Sequence, residues 1–241
     1  MTVGVGAPIY PVGLVVKGRR CLVVGGGRVA ARKIGGLLAC GASVTVVAPE
    51  VHVAIGELAE SGIIAAIDES PLDVQIRPYA AGEAADYVFV IAATGEPAVD
   101  DAVHQDAQSA GVWVNVADDP LRCSVVLPAV ARDGPVSIAV STAGASPALA
   151  GWLRDRIVEA LGPGLGDLAA LLGEGRRRVR DGGGSTETID WQRLLDGPLP
   201  DLVRHGRMDE ARRELDAFLA DPGSTEITHT PRDRSPGREM S

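Results

Sequence analysis

Two adjacent carboxylates, Asp118 and Asp119, close the apolar run "VWVNVADDP" (112–120), and Asn115 stands three residues before the first of them. A carboxylate held at the tip of a buried strand can take a proton from a substrate or stabilise a developing cation. It can equally cap backbone amides in a turn ahead of proline. The types alone leave both readings open. A second stretch, "VVGGGRVAARK" (23–33), carries Gly25-x-Gly27-x-x-Ala30. In that spacing the first glycine permits a tight turn, the second lets the backbone approach a pyrophosphate, and the small third residue lets helix and strand pack closely. Free N–H groups and the helix dipole then favour phosphate. Gly25, Gly26, Gly27, Arg28, Val29 and Ala30 form the candidate cradle. Glu50, after the run "VTVVA", is the candidate ribose-binding acid, and Thr94 in "AATGEP" (92–97) ends another strand on the same edge. No arginine follows "VTVVAPE" to receive a 2′-phosphate, which favours NAD over NADP.

Positioning these groups requires an alternation of strands and helices, and residues 20–116 supply it. Apolar runs at 20–24, 43–48, 74–79, 87–93 and 112–117 alternate with helical stretches through Cys40, from about Val51, and over 96–110. Continuous Val/Ile runs, rather than strict alternation, predict strands covered on both faces, hence an α/β Rossmann-type doubly wound parallel sheet. "SVVLPAVAR" and "PVSIAVST" then predict two short strands joined by "RDGP". A lone two-stranded ribbon is marginal in water, so pairing with a second copy of the chain is expected. From Ser146 the pattern turns helical: Ser146 as N-cap, Pro147 at the first position, then Leu149, Leu153, Ile157 and Leu161 before Gly162. A helix over about 165–180 precedes "DGGGSTE" (181–187), expected as a flexible break, and helical pieces follow at "IDWQRLL" and "MDEARRELDAFLA". The predicted organisation is a dinucleotide-binding domain at 1–117, a dimerisation ribbon with an active-site loop at 118–145, a helical domain at 146–221 and a disordered tail at 222–241.

Composition narrows the function classes. A formal net charge of −9 and a pI near 4.9 argue against nucleic-acid or anionic-membrane partners, and 3% aromatics offer no base-stacking platform. All but two of the 23 cationic side chains are arginine, with lysine at 17 and 33, a pattern that coding bias explains. Three cysteines without CxxC spacing indicate neither a disulfide framework nor a zinc site. His52, His104, His205 and His229 are scattered without metal-ligand spacing, so no permanent metal is expected, and His104 reads as a surface residue. With no basic leader and no apolar run near the ~20 residues that span a bilayer, the expected location is the cytoplasm.

Three stretches together, 10–50, 87–120 ("YVFVIAATGEPAVDDAVHQDAQSAGVWVNVADDP") and 136–161 ("VSIAVSTAGASPALAGWLRDRIVEAL"), resemble the siroheme-synthase dehydrogenase/ferrochelatase family over about residues 10–220. The resemblance implies NAD-dependent oxidation of precorrin-2 to sirohydrochlorin and, in some members, insertion of Fe²⁺ as a substrate to give siroheme. It also implies an intertwined homodimer and a helical domain closing over the tetrapyrrole. Some relatives carry a uroporphyrinogen methyltransferase domain, which for this chain is expected on a separate protein. The family's strand-end aspartate aligns with Asp118, so Asp118 is the expected catalytic carboxylate, with Asp119 and Asn115 as turn and supporting groups. The resemblance also implies that a loop serine lines the family's active site; Thr142, beside Ser141, aligns with it and keeps the hydroxyl, so Thr142 is the second expected catalytic residue. The chain departs from the family at Gly151, where arginine is usual, leaving Arg122, Arg154 and Arg156 to meet the acid side chains of the substrate. The competing class is an NAD-sensing regulatory module without catalysis, against which the helical region after Ser146 argues, because a sensor needs no closing lid.

Overall fold

The computed structural model describes residues 8–60 and 71–220, so the tail expected at 222–241 lies outside the described residues. Five parallel strands, β1 (Arg20–Val24), β2 (Ser43–Ala48), β3 (Leu72–Ile76), β4 (Phe89–Ala92) and β5 (Trp113–Val116), form one sheet in the order β3-β2-β1-β4-β5. The crossovers are helical: α1 (Arg28–Leu38), α2 (Val53–Glu60) and α3 (Pro97–Ala110). Along β1, Cys21 and Val23 pack with Ile34 of α1 and Ile55 of α2, whereas Leu22 and Val24 pack with Val103 and Ala107 of α3. The central strands therefore have an apolar layer on each face, which is why their runs are continuous. Val24 lies level with Val47 and with Ala92, and Ala92 with Val116, so the strands deliver their carboxyl ends to one edge. The order reverses between β1 and β4, and the crevice outside that point is where ligands of such sheets bind.

The helix ends follow local chemistry. Pro97 opens α3, and Gly111, at φ +69°, closes it with Val112 N–H donating to Ala107 O at 2.8 Å. That left-handed stop and the proline start are the usual asymmetry of helix ends.

The ribbon is shorter than the sequence pattern predicts. Its strands are β6 (Ala129–Asp133) and β7 (Val136–Val140), joined through Gly134 at φ +53°. Ser124 and Val125, expected in the first ribbon strand, instead turn back onto β5: both backbone N–H groups donate to Val114 O, at 2.9 and 3.1 Å. The Val-rich run satisfied a strand pattern, but its partner is the Rossmann sheet.

Helix α4 (Pro147–Leu161) begins as expected, with Leu149 N–H donating to Ser146 Oγ at 3.2 Å. Its apolar stripe stays in the open: Leu149, Trp152, Ile157, Val158 and Leu161 are all exposed, Trp152 by 56%, and only Ala150 is buried. A Cβ at Gly151 would meet nothing within 4 Å, so the backbone there tolerates any side chain.

The described chain divides into two compact units, one of residues up to Val130 with Ala139–Arg154, the other of Ala131–Ile138 with the residues from Asp155 on. The second unit has its own core of Leu171, Leu194, Leu199, Val203, Ala211, Leu215 and Phe218. These come from α5 (Leu165–Asp181), α6 (Trp191–Asp196), α7 (Leu199–Arg204) and α8 (Met208–Ala220). Helix α7 was hidden from the sequence by Pro198 and Pro200. The glycine-rich stretch after α5, expected to be a flexible break, is hydrogen-bonded: Gly184 N–H donates to Val179 O at 2.9 Å and Trp191 Nε1 to Thr186 O at 3.0 Å. No helix among the described residues is long and apolar enough to cross a membrane.

Candidate functional site

The three glycines after β1 are required for different reasons. Gly25 has φ +121°, and a Cβ there would stand 2.3 Å from Ala93 O. At Gly26 a Cβ would stand 1.9 Å from Glu50 O. Both are forced by the protein's own backbone, and the neighbouring bonds from Gly25 N–H to Val47 O and from His52 N–H to Gly26 O pin the loop across β2. Gly27 is different, because a Cβ there would meet nothing within 4 Å. No protein atom explains a glycine at that position. A ligand approaching the helix start would, since Gly27 is the N-cap of α1 and makes no side-chain cap for the N–H groups of the first turn. Arg28 and Val29 open that turn in the open, and Ala30, wholly buried, seats it on the sheet. The residues thus fit a dinucleotide's phosphates: a tight approach on two sides and open space on the third.

Glu50 follows β2 with its side chain exposed at the same edge. Thr94 follows β4, and its role is visible in its bonds. Its hydroxyl donates to Asp100 Oδ1 at 2.7 Å and accepts from Glu96 N–H at 3.0 Å. Asp100 is buried, so the pair locks the 94–96 loop against α3 beside Gly25. Asp100 carries no motif and was not legible in the sequence.

β5 brings the acidic pair to this edge. Ala117 N–H extends the ladder to Ala92 O at 2.8 Å, and Asp118, next along, is exposed with φ +60°. Asp119 does turn work: its Oδ1 accepts from Leu121 N–H at 3.1 Å, and its Oδ2 pairs with Arg122 at 2.8 Å. Arg122 is also paired with Asp101 at 3.1 Å, which commits it to the protein's own carboxylates. Arg156 pairs with Glu159 at 2.7 Å. His104, expected at the surface, is half-buried, and its Nδ1 is buried with no hydrogen-bond partner.

Thr142 closes its own loop. Its hydroxyl donates to Ser146 O and accepts from Ser146 N–H, both at 3.0 Å. Ala143, beside it, has φ +50°, and Gly144 lies against Pro120, which a Cβ would meet at 3.5 Å. Asp118 and Ala143 are the two non-glycine residues with positive φ among the described residues, and the loops that carry them touch. Backbone strain of this kind costs roughly 1–3 kcal/mol per residue and concentrates at working sites.

A buried polar contact lies beneath the tip. Lys33 of α1 donates from Nζ to Asn115 Oδ1 at 2.9 Å, and Asn115 Nδ2 donates to Val125 O at 2.9 Å and to Cys123 Sγ at 3.4 Å. Burial holds the Lys33 ammonium below its usual pKa and Arg32 adds to this, while the charges of Cys123 and Asp118 oppose it. Burial also pushes the Cys123 thiol up. Asn115, expected as a supporting group, thus joins α1 to the segment that follows the tip. Lys33 was missed, because a contact across 82 residues of sequence leaves no local signal.

Comparisons with known proteins bear on the family. A family model for NAD(P)-binding matches residues 12–129, one for the central region of a sirohaem biosynthesis protein matches 133–160, and one for the sirohaem synthase dimerisation region matches 189–219. The chain is 39% identical over 207 residues to the siroheme synthase of Methylococcus capsulatus, covering 85% of this chain and 42% of that one. It is 36% identical over 211 residues to that of Nitrosococcus oceani, covering 87% and 43%. The chain therefore spans less than half the length of these curated relatives. Among solved structures, SirC, a precorrin-2 dehydrogenase, matches 88% of this chain and 100% of its own at 28% identity and a TM-score of 0.66. With an NAD(P)-binding region followed by two sirohaem regions matched in succession, the chain belongs to the siroheme synthase family.

Proposed function

We propose that the chain oxidises precorrin-2 to sirohydrochlorin, with NAD as acceptor. The observation that carries this is the meeting, at one sheet edge, of a phosphate cradle left open at Gly27 and a strained carboxylate at Asp118. When bound, the nicotinamide supplies the acceptor for a hydride. The chain's own part is to hold the phosphates on the backbone of Gly25 to Val29 and to anchor a ribose at Glu50. Thr94 and Asp100 keep the adjoining loop rigid. Asp118 receives the proton that leaves the macrocycle, or holds its developing positive charge, which a carboxylate at an open sheet edge can do. Thr142, bonded to Ser146, fixes the neighbouring loop rather than offering a free hydroxyl to the substrate. Insertion of Fe²⁺, which the resemblance implies for some members, would use the same carboxylate as the pyrrole nitrogens lose their protons.

The direct test is incubation with precorrin-2 and NAD while following the absorbance change to sirohydrochlorin. Turnover is the expected result, with NADP weaker than NAD because no arginine follows β2. Binding of NAD without any oxidation of precorrin-2 would favour the sensing module instead. Supplying Fe²⁺ in the same cuvette reads chelation separately.

A homodimer is part of the proposal. The exposed face of α4 and the unpaired two-stranded ribbon are the supporting observations, since both leave apolar or hydrogen-bonding surface that a second copy would cover. Light scattering at micromolar concentration should give twice the chain mass. A monomer with full activity would remove this part of the proposal.

A further inference from the structure

All but two of the 23 cationic side chains are arginine, yet the position that faces the underside of the β5 tip is a lysine, with Arg32 beside it on the same helix. Coding bias explains the arginines and leaves Lys33 unexplained. The chemistry of the position supplies a reason. An ammonium is a compact point charge with three donors, whereas a guanidinium is a wide planar fork. Lys33 is half-buried, and its Nζ reaches Asn115 Oδ1 at 2.9 Å. A fork would not fit that single buried acceptor in the same way.

The bond has a consequence for the tip. With its oxygen held by Lys33, the Asn115 amide must present its NH₂ to Val125 O and Cys123 Sγ. Cys123 Sγ in turn accepts from Val116 N–H at 3.3 Å and donates to Val116 O or Asp119 O, each at 3.3 Å. One ammonium thereby fixes the amide that ties residues 123–125 back onto β5, and the closed loop between them is the one that carries Asp118 in its left-handed conformation.

Resting on the reading of Asp118 given above, we infer that Lys33 is a positioning residue for the dehydrogenation, holding the β5 tip through Asn115 and bearing on Asp118 through its charge. The groups that face its ammonium are Arg32 from its own helix, Asn115 and Asp118 from the β5 side, and Cys123 from the segment that follows. Lys33 does not itself touch the reacting atoms in this account.

Three measurements test this. In Lys33→Met, which keeps the length and removes the charge, kcat for sirohydrochlorin formation should fall by about tenfold or more, while the KM for NAD stays within about twofold. The double variant Lys33→Met/Asn115→Leu replaces a polar pair by an apolar one, so it should regain thermal stability over the single variant without regaining rate. Recovery of both would make the pair merely structural and overturn the inference, as would wild-type kcat in Lys33→Met.

The third measurement needs no turnover. With only two lysines, ¹⁵N-lysine labelling gives two side-chain resonances. One should titrate below 10.5, the ordinary lysine value, and should titrate lower still in Asp118→Asn, because the Asp118 charge favours the ammonium. A titration indifferent to Asp118 would overturn the coupling whatever the assay shows. If the wild-type chain does not oxidise precorrin-2 but the titration responds to Asp118, it is the proposed reaction that fails, and the contact beneath the tip stands.

Discussion

Asp118→Asn is expected to lower the rate of sirohydrochlorin formation by about 10²–10⁴-fold at saturating NAD, the range that a general base contributes, with NAD binding retained. The substitution suits the site. Asp118 sits at φ +60°, and asparagine tolerates the left-handed region as well as aspartate does, so the backbone need not move. What changes is charge and basicity alone. Dinucleotide affinity is therefore the control. Asp119→Asn is the matched comparison. An asparagine oxygen can still accept from Leu121 N–H, and the lost pair with Arg122 is part-exposed, worth about 1 kcal/mol or less. Arg122 also keeps Asp101. Near wild-type turnover is therefore expected for Asp119→Asn. A larger loss there than in Asp118→Asn would move the chemistry one residue along and leave Asp118 as a strained turn.

The difference between these two neighbours shows where sequence reading reaches its limit. Both are acids before a proline, and only the fold separates a capping carboxylate from an open one. The Rossmann sheet was legible because burial on both faces imposes uninterrupted Val/Ile runs, a local signature of a global arrangement. The glycine turn between β1 and α1 was legible because its spacing, Gly25-x-Gly27-x-x-Ala30, marks a tight strand-to-helix turn, and at Gly25 the backbone of Ala93 leaves no room for a Cβ. Lys33–Asn115 and Thr94–Asp100 were not legible as pairs, since neither residue type nor spacing marks a partner that tertiary folding brings up. The stripe on α4 was read as a stripe, but periodicity states only that a face is apolar, not what it meets. Ser124 and Val125 show the converse: strand propensity was present, and their bonds to Val114 of β5 overrode the expected ribbon.

Gly27→Val is expected to weaken NAD binding by about 100-fold or more, roughly 2.7 kcal/mol or more at about 1.4 kcal/mol per tenfold, in a chain that still folds. Three successive glycines differ in what a side chain would meet. A side chain at Gly26 would drive into Glu50 O at 1.9 Å, and one at Gly25 into Ala93 O at 2.3 Å from a positive φ, so substitutions there damage the loop itself. Loss of binding in those variants would say nothing about a ligand. Gly27 has φ −81° and ψ −177°, extended backbone open to any residue, and empty space beyond its Cα. Valine costs the helix start only about 1 kcal/mol as a poor N-cap. The isopropyl group would occupy the volume through which a pyrophosphate must approach the first-turn N–H groups. Calorimetric titration with NAD gives the affinity, and thermal unfolding gives an independent reading. A ligand that binds only the folded chain stabilises it by RT ln(1 + [L]/Kd), so NAD at about ten times the wild-type Kd should raise the Tm of the wild type and leave that of the variant almost in place. A folded Gly27→Val chain with unchanged NAD affinity would show that the open side of the cradle is not where the phosphates lie.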